Sequence, residues 1–191
     1  MLTAEEWGAG HTARKLGEVL ETHGYEVSPL DAGHGVLATK RGHSAGPFLP
    51  WSDFVFIVDI EAAGITDSLS FDEYHEGVRA FGESKMKVPR ALRYRVPNSV
   101  TFGVSASGLT REMVEYAHKS RHAVNSGEKN AVYLLDLSNG ELHSQGLEHD
   151  RLNRYGGTWT PNVNPANRLS RLLVNACLEL IGPTLTSDNA G

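Results

Sequence analysis

Residues 51–64, WSDFVFIVDIEAAG, constrain the fold more than any other stretch. The centre, Phe54-Val55-Phe56-Ile57-Val58, is an unbroken apolar run, aromatic or β-branched throughout. A run this short, without helical spacing and closed by Gly64, reads as a strand buried on both faces. Such a strand needs neighbours on both edges and helices over both faces. Asp59-Ile60-Glu61 follows directly. Residues i and i+2 of a strand share a face, so the two carboxylates are expected to point the same way at the strand's C-terminal end.

The flanking segments supply the expected neighbours. Thr3 and Glu6 have capping-box spacing, with Leu2 and Trp7 placed as a hydrophobic staple. Ala9, Ala13, Leu16 and Leu20 then form one apolar stripe, so a helix is expected from about residue 4 to residue 23, stopped at Gly24. Short strands are expected over residues 25–30 and 36–39, before a Gly- and Pro-rich loop at 42–50. Beyond Gly64 the period changes to that of a helix. Ser70 and Glu73 read as a capping box with Leu69 and Tyr74 as staple, and Phe71, Tyr74, Val78 and Phe81 form the inner face.

Val100, Phe102 and Val104 alternate as a half-buried strand, and Leu109-Thr110 opens a third helix carrying Met113, Ala117 and Val124 toward the core. Residues 131–137 are a further strand. The pair Asn139-Gly140 then predicts a two-residue type I′ turn, with Leu137 opposite Leu142 and Asp136 opposite His143. Residues 145–162 read as a loop. Asn164-Pro165 opens a last helix with Leu169, Leu172, Leu173, Ala176 and Leu180 on one face, stopped by Gly182-Pro183. The expected fold is a single α/β domain over residues 1–182, a mixed central sheet with helices on both faces, followed by a disordered tail at 183–191.

Composition narrows the function classes. The chain has 191 residues, 40% hydrophobic and 21% charged, which suits one folded domain. A net charge of −5 gives no global basic field toward nucleic acid or anionic membranes. The single cysteine, Cys177, excludes an internal disulfide and reads as a small buried hydrophobe. No stretch has the length of a membrane span, and the first residues lack a signal-peptide pattern, so a cytoplasmic protein is expected.

Helix, a meander whose third strand carries acids, then helix, strand, helix: this order resembles the restriction-endonuclease-like PD-(D/E)XK superfamily over about residues 3–124. The resemblance implies a carboxylate cluster holding Mg²⁺ and a lysine that orients or activates water. Asp31 matches the first acid. With Glu61 as the second acid, the lysine position falls on Ala63; with Asp59, it falls on Glu61. The motif is therefore degenerate, and Lys40 is the candidate for a displaced lysine. Asp31, Asp59 and Glu61 are the implied metal ligands, and no other cofactor is expected.

Other patterns point elsewhere. Lys85, Lys87, Arg90, Arg93 and Arg95 form a basic stretch without an acid, suited either to anion binding or to a solvated surface. Gly103-Val104-Ser105-Ala106-Ser107, with Asp136 and His143 later, follows the Ser…Asp…His order of α/β-hydrolases, but Ser107 replaces the motif's last glycine. Of nine histidines, only His118 and His122 have helical i, i+4 spacing. Two readings follow: a degenerate nuclease-like accessory module binding a protein or nucleic acid, or an active Mg²⁺-dependent nuclease.

Overall fold

The computed structural model describes residues 8–30, 33–43, 50–85, 96–119, 129–144 and 165–181. The elements are α1 (Ala9–Thr22), β1 (Glu26–Pro29), β2 (Gly35–His43), β3 (Pro50–Asp59), α2 (Ser68–Ser84), β4 (Val96–Ser105), α3 (Arg111–Lys119), β5 (Lys129–Asp136), β6 (Glu141–His143) and α4 (Pro165–Ile181). The six strands form one sheet in chain order. β1, β2 and β3 are antiparallel, β3, β4 and β5 parallel, and β6 returns antiparallel to β5. This is the mixed α/β domain that the sequence predicts.

Alternation along β3 divides the core. Val55 and Ile57 face α1 and α4, together with Val100, Phe102 and Val104 of β4. Phe54, Phe56 and Val58 face the other side, toward α2 and α3. Phe81 of α2 meets the rings of Phe54 and Phe56 edge-on, at 5.8 and 5.3 Å between centroids. With Val55, Ile57 and Val58 fully buried, both faces of the strand are covered.

β4 departs from the expected half-buried strand, because both of its faces are buried. Ser99, Thr101 and Gly103 lie under α2, not under water. Their small size lets the helix approach. Gly82 stands over Ser99, and Phe71 stands over Gly103. The buried His75 shares a 2.7 Å hydrogen bond between Nδ1 and Thr101 Oγ1. Polar residues in a strand therefore mark a close helix contact here, not a solvent face.

Caps and turns also shift. α1 begins at Ala9, and the expected box at Thr3 and Glu6 lies outside the described residues. α2 is capped one turn earlier than the sequence predicts. Asp67 accepts from the Ser70 amide at 2.8 Å, and Ser70 Oγ accepts from the Asp67 amide. Asp67 supplies the N-cap acceptor that Ser70 was expected to be, and Ser70 becomes its reciprocal partner. Leu69 is 67% exposed and staples nothing. α3 follows Thr110, whose hydroxyl accepts from the Met113 amide at 3.3 Å.

The hairpin register is corrected. Asp136 lies opposite Glu141, Leu135 opposite Leu142, and Leu134 opposite His143. Four residues, not two, connect the strands. The Gly140 amide donates to the Asp136 carbonyl at 2.8 Å, and Gly140 takes the positive φ of 73° that closes the turn. The Asp136 side chain binds Ser138, which holds the longer connection in place. The expected loop at 145–162 and tail at 183–191 lie outside the described residues.

Candidate functional site

At the C-terminal ends of the parallel strands, the acids close loops. β3 ends at Asp59, and Ile60 begins a turn that runs to Gly64, so the same-face relation expected of Asp59 and Glu61 does not arise. Asp59 Oδ1 accepts from the Ala62 amide at 2.9 Å. Glu61 reaches across to the end of β4. There Oε1 accepts from Ser105 Oγ at 2.6 Å, Ser107 Oγ at 2.8 Å, and the amides of Ala106 and Ser107 at 3.0 and 3.1 Å. Burial raises the Glu61 pKa, but these donors outweigh it and hold the carboxyl below its ordinary value.

Asp136 repeats the device at the end of β5. Oδ2 accepts from the Leu109 amide at 2.9 Å, and Oδ1 from the Ser138 amide and hydroxyl at 2.9 and 2.6 Å. Partial burial again opposes ionisation, and the Ser138 and Leu109 donors again prevail. Ser105 is fully buried and donates to Glu61. Ser105 Oγ is thus engaged by Glu61 and the Gly108 carbonyl rather than by His143. His143 lies instead 3.5 Å from Glu141 and stacks edge-on to His118 at 5.6 Å. Burial lowers its pKa. Among the described residues, no three His, Cys, Asp or Glu side chains gather as a metal site.

Lys40 lies elsewhere. On β2 it pairs with Asp53 of β3, six residues before Asp59. At the rise of an extended strand that separation is roughly 20 Å. The structure therefore brings Lys40 to neither Asp59 nor Glu61. Asp31 lies outside the described residues, as do Lys87, Arg90, Arg93, Arg95, His122 and Val124. Of the basic stretch only Lys85 is described, its ammonium 4.7 Å over the Phe81 ring.

Asp53 is the residue that sequence reasoning missed. It is fully buried, accepting from Tyr25 OH and Asn98 Nδ2 at 2.6 Å each. Its proximity to Tyr25 and Asn98 depends on pairing across three strands, so only its position just before the apolar run hinted at burial. Asn98 Oδ1 beside it is buried without a hydrogen-bond partner.

Asp53 borders a cavity of about 430 Å³, lined also by Glu26, Lys40, Arg41, Phe81 and Lys85. Lys40 donates to the His23 carbonyl at the end of α1 and lies 5.2 Å over the Tyr25 ring. Arg41 is exposed. Among the described residues, these three cations form no ion pair, whereas Lys15, Arg79, Arg111 and Lys119 on the helices each meet a carboxylate. Two chemistries thus lie at opposite ends of the sheet: acids hydrogen-bonded into loops at one, and around a cavity at the other, cations that form no ion pair among the described residues.

Compared with family models, with curated proteins and with solved structures, the chain matches none. No helix among the described residues is long and apolar enough to cross a membrane.

Proposed function

We propose that this chain is a non-catalytic accessory module of the cytoplasm that binds another macromolecule, a nuclease-like fold whose acids have become structural. The order of helix, three strands, helix, strand and helix is the one on which the resemblance to restriction-endonuclease-like proteins rests. The observation that carries the reading is Glu61 Oε1, which accepts four hydrogen bonds from the chain's own loop. A magnesium ligand presents its oxygen to the ion with few competitors. This oxygen is surrounded by protein donors, Asp59 caps the turn beside it, and the candidate lysine is at the other end of the sheet. An oxygen so occupied is a poor magnesium ligand, which supports a structural role for this acid.

The test uses the purified chain with Mg²⁺ or Mn²⁺ and single- and double-stranded DNA and RNA. No cleavage and no metal-dependent rise in melting temperature are expected, since an ion that binds only the folded state would stabilise it. Cleavage that disappears in Asp59→Ala or Glu61→Gln would overturn the reading in favour of an active nuclease. The binding half is tested by crosslinked capture followed by reconstitution from purified components. A chain that forms no stoichiometric complex with any purified captured partner fails that half.

A further inference from the structure

We propose that the cavity beside Asp53 is the docking pocket for a carboxylate side chain of a protein partner; this deepens the accessory-module reading and rests on it. The charges differ in availability. Lys40 is engaged by the carbonyl that ends α1, where a cation offsets the negative end of the helix. Arg41 and Lys85 have no acceptor among the described residues, and Lys85 stands over an aromatic ring. Buried Asp53 accepts from two neutral donors, Tyr25 and Asn98.

The shape favours a side chain over a nucleic-acid backbone. Backbone recognition draws its affinity from many phosphates contacted along a surface. Among the described residues, two available cations and Lys40 line one concavity, too few for a run of phosphates. Phe54 and Phe81 supply an apolar wall for methylenes, and Arg41 presents the planar fork that matches a carboxylate. A single Glu or Asp within a protein segment satisfies both features.

A fluorescent hexaglutamate peptide is the probe, with hexaglutamine and oligothymidylate as comparisons, in fluorescence anisotropy at low salt. Binding of hexaglutamate, absent for hexaglutamine, is expected to weaken about tenfold or more in Arg41→Glu and Lys85→Glu, as charge reversal at a contact requires. Arg14→Glu, a reversal on the exposed face of α1, is expected to leave it unchanged. Circular dichroism melts confirm that the variants fold, and amide shifts at Gly24 and Thr39 report where the peptide sits. No binding, equal binding by all three variants, or tighter Arg41-dependent binding of oligothymidylate would each overturn the pocket assignment. A failed titration leaves the accessory-module reading intact, whereas metal-dependent cleavage would remove that reading without altering the titration.

Discussion

Glu61, in the turn after β3, meets Ser105 at the end of β4 with 2.6 Å between Oε1 and Oγ, joining two strand ends through one carboxylate. Three more donors from Ala106 and Ser107 converge on the same oxygen. The β4–α3 connection is thus shaped by an anion belonging to another loop.

Glu61→Gln preserves shape but removes the charge. It is expected to lower stability by about 1 kcal/mol, the low end for a charge-assisted site because Glu61 is exposed. The folded-state pKa is lowered by the Ser105 and Ser107 donors. The charged form's contribution is therefore present above the unfolded value, near 4.5, and is lost as pH falls through the folded value. Urea midpoints measured against pH should show a shallower acid decline in the variant; an unchanged profile would deny the carboxylate this role.

His75 is buried and its pKa is pushed down to about 4, chiefly by burial. The neutral ring is the folded form, so stability is full above the unfolded value of 6.5 and declines as pH falls from there toward 4. The decline attributable to this group is on the order of 3 kcal/mol. Imidazole resonances should titrate far below 6.5. In the double variant His75→Leu, Thr101→Val, which leaves no orphaned hydroxyl, that part of the decline should vanish.

Gly103→Ala tests the approach of α2 to β4. A methyl there would lie 2.7 Å from Leu134 Cδ2, 2.9 Å from Ile60 Cγ2 and 3.0 Å from Phe71 Cε2. Three walls close in at once, so relief in one direction worsens another. Overpacking of this kind costs about 1–3 kcal/mol. A denaturant midpoint equal to that of the parent would show that the layers yield more easily than their packing implies.

Ile57→Ala empties the middle of the sheet and should cost about 2–5 kcal/mol. Leu69→Ala, at a residue 67% exposed, should stay within about 0.5 kcal/mol of the parent. Equal losses at the two positions would contradict the layer assignment.

How much was legible depends on how local each signal is. The apolar run at 54–58 encodes burial directly, because no other environment favours unbroken aromatic and β-branched residues. The stripes of α1 and α4 likewise encode one inward face each, so Leu16, Leu20, Leu169 and Leu173 are core residues as their spacing predicts. Local signals weakened where two neighbours competed for one role. Asp67 took the cap expected of Ser70, and Asp136 drew Ser138 and Gly140 into a longer turn than Asn139-Gly140 alone requires.

The candidate site was the least legible part, for a definite physical reason. Asp59 and Glu61 looked like a pair because sequence shows adjacency, yet the strand stops at Asp59 and the two carboxylates turn to different loops. Asp53, Tyr25 and Asn98 looked unrelated, yet strand pairing closes their long separations into hydrogen bonds. Periodicity, a property of short stretches, determined the strands, the helices and the faces they bury. Which acids tie down loops, and which cations form no ion pair among the described residues, was decided only by the sheet, because hydrogen bonds and ion pairs act over a few ångströms between residues the chain holds far apart.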